Sequence, residues 1–134
     1  MNLIKSNGIL GGEVKFNILN KLNRLVGDSL STDSLFEELG EISDLFSPYL
    51  NEKIFENDVL IKLWDVLVYV YINNPQKENR SDALSVIYDV YIYAVNIGFS
   101  IDKKKLIKHY LELSGNDKLD QESKEILEEI LFDI

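Results

Sequence analysis

The chain has 134 residues, of which 46% are hydrophobic and 28% charged, with a formal net charge of −9 and no cysteine. This composition is typical of one folded domain, and it excludes disulfides and thiolate metal sites. The acidic balance disfavours nucleic acid and anionic membrane surfaces as direct ligands, because both are bound by neutralising phosphates. No apolar stretch reaches the roughly 18 residues that a membrane span needs, so we expect a soluble protein. The length predicts a single domain over residues 1–134, and the absence of cysteine fits a cytoplasmic location.

The first half of the chain predicts amphipathic helices. Residues 1–12, which end in two glycines, are predicted to form a flexible N-terminal arm. The apolar spacing then predicts helices over Glu13–Val26 and Asp33–Phe46. Pro48 predicts a short third helix that ends near Asn57, because proline is favoured at the first helical position. The second helix has one apolar face, formed by Leu35, Leu39, Ile42 and Phe46, with Phe36 and Leu45 beside it.

Two segments in the middle of the chain, Asp58–Asn73 and Ser81–Ile97, are so rich in Val, Ile and Tyr that parts of them resemble strands. Their polar residues decide the matter, because they recur in steps of three, four, or seven to eight rather than in steps of two. These residues are Asp58, Lys62, Asp65 and Asn73 in the first segment, and Asp82, Ser85, Asp89 and Asn96 in the second. We therefore predict two nearly buried central helices joined by a polar turn over residues 74–80.

Gly98 is predicted to end the second central helix. A further helix over about Lys103–Leu113, capped by Ser100 or Asp102, and a last helix over about Asp120–Phe132 complete the chain. The predicted fold is all-α, a single-domain bundle of six to seven helices.

Most of the net negative charge is concentrated in residues 28–58, which carry nine acidic side chains against Lys53 alone. Asp33, Glu37, Glu41 and Asp44 are spaced four, four and three residues apart, so they line one face of the second helix. Like charges at this spacing destabilise a helix by a few tenths of a kcal/mol per pair. This acidic face is either a docking surface for a basic partner or simply a solvated surface. The predicted partner-binding residues are Asp33, Glu37, Glu41, Asp44, Glu52 and Glu56, and a secondary acidic stripe is formed by Glu122, Glu125, Glu129 and Asp133.

One short stretch is basic instead. Lys103, Lys104, Lys105 and Lys108 lie beside His109, the single histidine of the chain. A phosphate or nucleic-acid site is one interpretation of this stretch. The favoured interpretation is that the lysines pair with neighbouring carboxylates, given the net charge of −9.

No catalytic or cofactor motif stands out. The chain has no HExxH, Walker A or GxSxG sequence, and its one histidine without any cysteine offers no structural zinc set. We therefore predict no catalytic, metal or cofactor-binding residues. One carboxylate pair is an alternative: Asp65 and Asp89 lie inside apolar helices and could share a buried site, although the polar stripes place both toward solvent.

Aromatic residues cluster in the two central helices. The cluster consists of Trp64, Tyr69, Tyr71, Tyr88, Tyr91 and Tyr93. Tryptophan and tyrosine are frequent anchors of protein interfaces, but these six are predicted to be mostly core or core-edge residues.

In size, acidity, predicted helical content and the Lys- and Ile-rich usage of an AT-rich genome, the chain resembles small immunity proteins of bacterial toxin–immunity systems, including the contact-dependent growth-inhibition type. The resemblance extends over the whole chain and carries no motif, so it assigns no role to individual residues. It implies a non-enzymatic protein that binds and blocks a basic toxin nuclease. The alternatives are a homo-oligomeric helical scaffold or regulatory subunit, a phage inhibitor of a host defence nuclease, and an enzyme that uses paired carboxylates.

Overall fold

The computed structural model describes residues 20, 23–25, 32–46, 55–74, 77–114 and 119–132. Within those ranges every regular element is an α-helix, which confirms the all-α prediction. The helices are α1 (Thr32–Phe46), α2 (Asn57–Asn73), α3 (Lys77–Ile97), α4 (Lys104–Ser114) and α5 (Gln121–Phe132). Residues 20 and 23–25 are also helical, as predicted, and the predicted N-terminal arm lies outside the described residues.

Helices α2 and α3 form the centre of the bundle, as the sequence predicts. In α2 the predicted polar stripe is solvent-exposed at Asp58, Lys62, Asp65 and Asn73, while most of the remaining residues are buried. The stripe of α3 is more mixed, because Asp82 and Asp89 are half-buried and only Ser85 and Asn96 are exposed. Part of this second stripe is covered by α1, which packs on α3.

Two predicted boundaries are wrong. Helix α3 begins at Lys77 rather than Ser81, so most of the predicted turn is helical. The extra turn is held by tertiary contacts that apolar periodicity does not reveal: Asn79 is buried, and the Arg80 guanidinium donates a 3.0 Å hydrogen bond to the backbone oxygen of Asn74. The predicted short helix does not end near Asn57, since Asn57 is the first residue of α2 and the two residues before it are not helical. Its earlier part lies outside the described residues.

An aromatic cluster locks α1 to the central pair. Phe46, at the end of α1, stacks on Phe55 with ring centroids 4.7 Å apart, and it meets the edge of Tyr93 at 5.2 Å. The Tyr93 hydroxyl accepts a 3.3 Å hydrogen bond from the backbone N–H of Phe55. All three side chains are almost completely buried and belong to the hydrophobic core.

The segment between α3 and α4 turns sharply at Gly98. Its φ of +73° lies in the left-handed region, and the amides of Gly98 and Phe99 donate hydrogen bonds to the carbonyls of Val95 and Ala94 at 3.2 and 2.8 Å. This pair of bonds is a Schellman motif, the usual helix end at a glycine. The Asp102 carboxylate then accepts a 3.0 Å bond from the amide of Lys104, which confirms Asp102 as the predicted cap of α4.

The last helix is capped in a similar way. The Asp120 carboxylate accepts a hydrogen bond from the Ser123 amide at 2.8 Å and one from the Ser123 hydroxyl at 3.1 Å. The bond to the Ser123 amide is the main reason that the pKa of Asp120 is lowered. Helix α5 packs on both α3 and α4, and α4 also contacts α2.

Two glycines provide a matched stability test. A Cβ at Gly40, inside α1, or at Gly98 would meet no atom within 4 Å, so only backbone effects separate them. We expect Gly98→Ala to lower the free energy of unfolding by about 1–2 kcal/mol, because alanine disfavours positive φ. Gly40→Ala should raise it by about 0.5–1 kcal/mol, because glycine weakens a helix interior. Urea unfolding followed by circular dichroism measures both free energies. If the two substitutions changed the free energy of unfolding in the same direction, the left-handed backbone at Gly98 or the helical backbone at Gly40 would be wrong.

Among the described residues, no helix is both long and apolar enough to cross a membrane.

Candidate functional site

The outer face of α1, defined here as Phe36, Glu37, Gly40, Glu41 and Asp44, is turned away from the core. Residues four apart on a helix form rows along its surface, so Phe36, Gly40 and Asp44 make one row and Glu37 and Glu41 lie in the next. The three carboxylates are solvent-exposed, as predicted. Asp33 begins the second row within the helix, but its side chain lies outside the described residues.

Phe36 is the least expected member of this face. Its side chain is 59% exposed, although the sequence places it beside the apolar stripe of the helix. The reason is angular: the buried residues Leu35, Leu39 and Ile42 point toward α3, and Phe36 lies about 100° round the helix from Leu35. The structure therefore places an aromatic ring at the margin of a carboxylate-rich surface.

Gly40 lies between that ring and the carboxylates. It has open space where a Cβ would stand, so no packing contact within the chain requires a glycine. A glycine inside a helix nevertheless costs about 0.5–1 kcal/mol relative to alanine. Its effect on the surface is to leave the backbone bare beside Phe36.

A neighbouring acidic residue of α1, Glu38, forms an ion pair within the chain. Its side chain is only 19% exposed, and its carboxylate lies 2.8 Å from the guanidinium of Arg24. The short described helical segment 23–25 thus contacts the flank of α1 at this pair. Of the other two predicted partner-binding residues, Glu56 is exposed just before α2, and Glu52 lies outside the described residues.

The secondary acidic stripe on α5 is divided between two roles. Glu122 and Glu125 are exposed, and Glu125 accepts a 2.9 Å hydrogen bond from Gln121. Glu129 is half-buried and forms a hydrogen bond with Tyr88 of α3 that raises the pKa of the tyrosine. Glu129 thus contributes to packing between α3 and α5, whereas Asp133 lies outside the described residues.

The basic stretch before and within α4 is also divided. Among the residues that the structure describes, Lys103 has a backbone oxygen rather than a carboxylate as its partner, which corrects the expectation for this residue. Its Nζ donates a 2.7 Å hydrogen bond to the backbone oxygen of Ile130 and lies 4.9 Å from the centre of the Tyr91 ring. It thereby satisfies a carbonyl in the last turn of α5, where a cation is favoured. Lys104, Lys105 and Lys108 are exposed.

His109 serves as a packing residue of α4. Its ring meets Tyr71 of α2 edge to face, with centroids 4.8 Å apart, and its Nε2 is buried without a hydrogen-bond partner in the described part of the chain. Burial lowers the pKa of His109, with Arg80 adding to the effect and Glu112 opposing it. Burial also raises the pKa of Tyr71 to about 12. Among the described residues, no three potential ligands group together to hold a metal ion.

The buried His109 predicts an acid-sensitive contact between α2 and α4. Because its pKa is below the ordinary value of 6.5 in the folded protein, the unfolded chain binds more protons just below that pH. The stability contribution is complete above pH 6.5 and is lost as the pH falls from there toward the folded pKa. His109→Phe keeps the ring on Tyr71 and removes the titration. We expect the melting temperature of this variant to fall less than that of the wild type on acidification. If the two proteins lost melting temperature in parallel as the pH fell, His109 would not be the source of the acid sensitivity.

The structure separates the proposed carboxylate pair. Asp89 accepts a 2.6 Å hydrogen bond from the Ser43 hydroxyl of α1, and it is half-buried there. Asp65 is exposed and faces a different neighbour, the segment between α3 and α4. The two side chains therefore do not form the shared buried site that paired-carboxylate chemistry requires.

The predicted aromatic core is largely confirmed. Trp64, Tyr71, Tyr91 and Tyr93 are buried and Tyr88 is half-buried, whereas Tyr69 is 49% exposed on the polar stripe of α2. Among the described residues the most exposed aromatic side chain is that of Phe36, at 59%, outside this cluster. Comparison of the chain with protein-family models, with curated proteins and with solved structures finds no match.

Proposed function

We propose that the chain is a non-enzymatic protein-binding module that neutralises a basic partner. In this proposal the chain is an immunity protein, and the partner that it blocks is a toxin nuclease. The observation that carries the proposal is the exposure of Phe36 beside Glu37, Glu41 and Asp44 on the outer face of α1. An exposed aromatic ring supplies an apolar anchor, and the carboxylates to one side of it supply complementarity to positive charge.

Gly40 supports the same face. Selection for stability alone favours alanine at this helical position, because nothing in the described structure occupies the space of its Cβ. A bare backbone beside Phe36 allows a partner to approach the helix closely. The glycine and the like charges are both local losses of stability, and both lie on one surface.

A nuclease is a suitable partner on chemical grounds. The surface of a nuclease that holds its substrate must be positively charged, because it neutralises phosphates. An acidic face that occupies this surface competes with the substrate directly. Charge complementarity also raises the association rate, which matters for a protein that must reach its target before damage occurs.

The test is a capture experiment from lysate of the source cells with two charge-matched baits. One bait carries Glu37→Lys, Glu41→Lys and Asp44→Lys; the other carries Glu112→Lys, Glu122→Lys and Glu125→Lys, which changes the net charge equally but elsewhere. The proposal is supported if a basic protein is retained by the wild type and by the second bait but not by the first, and if the wild-type chain inhibits a nuclease activity of that protein. It would be overturned if all three baits retained the protein equally, or if the protein had no nuclease activity for the chain to inhibit.

Self-association is the second candidate function, and one observation favours it. Leu111 of α4 is 63% exposed and Phe132 of α5 is 52% exposed, although both are large apolar side chains. A scaffold that pairs through the C-terminal helices would cover them. Analytical ultracentrifugation distinguishes the candidates: a stable dimer of the wild type that Leu111→Glu converts to a monomer favours the scaffold, and a wild-type monomer excludes it.

A further inference from the structure

A small cavity lies where the segment after α3 crosses the first half of α2. It has a volume of about 170 Å³ and is called the Trp64 cavity here. Its walls are mostly apolar, and two carboxylates stand among the lining residues. The lining includes Ile61, Trp64, Asp65, Phe99, Ile101 and Asp102.

The geometry of this cavity is fixed by hydrogen bonds on one side. The Trp64 indole N–H donates a 3.1 Å bond to the backbone oxygen of Asp102, and the Asp102 carboxylate accepts from the amide of Lys104. The segment is thus tied both to α2 and to the start of α4. The carboxylates of Asp65 and Asp102 belong to exposed residues, whereas Trp64 is only 3% exposed.

The size and chemistry of the Trp64 cavity restrict its occupant. Pockets for small molecules usually measure about 300–1,000 Å³, so this one has room for a single side chain. An apolar interior with carboxylates at its margin fits an aliphatic stem that ends in a cation. Arginine suits this arrangement better than lysine, because its guanidinium is planar, weakly hydrated and able to contact aromatic and carboxylate groups together.

A second cavity on the other side of the same segment provides an internal contrast. It has a volume of about 230 Å³, and Phe99, Ser100 and Ile101 line both cavities. Its charged lining residue is Lys103, which is held in place by Ile130 and the Tyr91 ring. A fixed positive charge there repels a cation, so the two sides of the segment have opposite electrostatic preferences.

We infer that the Trp64 cavity receives an arginine side chain of the basic protein partner. This inference rests on the proposed function, because it takes the partner to be a basic protein, and it adds a second contact apart from the outer face of α1. The stem of the arginine lies against Ile61 and Phe99, and its guanidinium lies between the carboxylates of Asp65 and Asp102.

The first test uses butylguanidinium as a probe of the free chain. Trp64 is the only tryptophan, so its fluorescence and its indole N–H resonance report on this cavity directly. We expect weak, saturable binding that Asp65→Asn and Asp102→Asn each reduce about fivefold, as for a strong exposed ion pair. Asn also caps helices, so Asp102→Asn keeps α4 intact. Glu122→Gln, which removes an exposed carboxylate of α5 away from both proposed contacts, is the control and should leave binding unchanged.

Two results would overturn the inference at this stage. One is the absence of any Trp64 response to butylguanidinium. The other is equal binding of butylguanidinium, butylammonium and the uncharged pentanol, because a cavity that accepts all three selects neither charge nor a guanidinium.

The second test separates this inference from the proposed function. Once a basic partner has been captured, the Asp65→Asn, Asp102→Asn double variant is expected to bind it at least tenfold more weakly. Unchanged affinity of this variant, with loss of affinity on reversal of the outer face of α1, would overturn the arginine contact and leave the proposed function standing. Probe binding in the cavity with no effect of reversing the α1 face would instead contradict the proposed docking face.

Discussion

Phe46→Ala is expected to lower the free energy of unfolding by about 3–5 kcal/mol, the range for removing a fully buried aromatic side chain. Phe46 is completely buried and contacts both other rings of its cluster, Phe55 and Tyr93. Its loss leaves a cavity at the junction of α1 with the central helices. A domain of this kind has only about 5–15 kcal/mol of stability in total, so this one substitution should remove a large part of it.

The measurement is urea unfolding followed by far-ultraviolet circular dichroism, with Tyr93→Phe as the comparison. That substitution keeps the ring and removes only the hydroxyl, which accepts the bond from the Phe55 amide. We expect a cost of about 1–2 kcal/mol for this variant, because the buried amide loses its partner. A cost below about 1 kcal/mol for Phe46→Ala would contradict the packing of α1 described above.

The central helices could be predicted from the sequence because their polar residues are few and regularly spaced. In α2, four polar positions were enough to distinguish a helix from a strand, and all four are exposed. Helix ends could also be predicted where a residue type strongly prefers one position at a helix end, as glycine does at Gly98 and aspartate at Asp102. These features depend on neighbours within one or two turns, which is the range over which sequence patterns are informative.

The features that were missed depend on contacts between distant parts of the chain. Lys103 looks like part of a basic surface patch in sequence, but it is 27 residues from the carbonyl it binds, that of Ile130. The early start of α3 depends on Arg80 reaching back to Asn74, and the separation of Asp65 from Asp89 depends on α1 covering one and not the other. No periodicity encodes such partners.

The candidate site was predicted in part. The exposed carboxylates at 37, 41 and 44 follow from helical spacing, because the opposite side of α1 is apolar. The sequence places Phe36 at the margin of the apolar face, and only the packing of α1 in the structure shows that this margin is open to solvent. The Trp64 cavity had no sequence signal, because it arises where α2 meets a segment some 35 residues later in the chain.

Reversing Glu37, Glu41 and Asp44 to lysine is expected to reduce the association rate constant with the basic partner by about 10²-fold at low salt. Electrostatic steering contributes 10- to 10³-fold to the association rates of oppositely charged proteins, and the reversal turns attraction into repulsion. The effect should shrink as salt is added, because exposed charges are screened beyond about 10 Å at 0.1 M ionic strength. Stopped-flow or surface plasmon resonance kinetics over a range of salt concentrations measures this directly.

Phe36→Ala should act on the other rate constant. Truncating an aromatic anchor at the centre of an interface typically costs 2 kcal/mol or more, and such losses appear mainly as faster dissociation. We therefore expect dissociation to accelerate about 30-fold, with an association rate and a salt dependence close to those of the wild type. Phe36 is 59% exposed in the free chain, so this substitution should leave its stability nearly unchanged. The opposite result is that Phe36→Ala leaves dissociation unchanged while the charge reversal still slows association. The carboxylates would then steer the partner during its approach, but the outer face of α1 would not be part of the final interface.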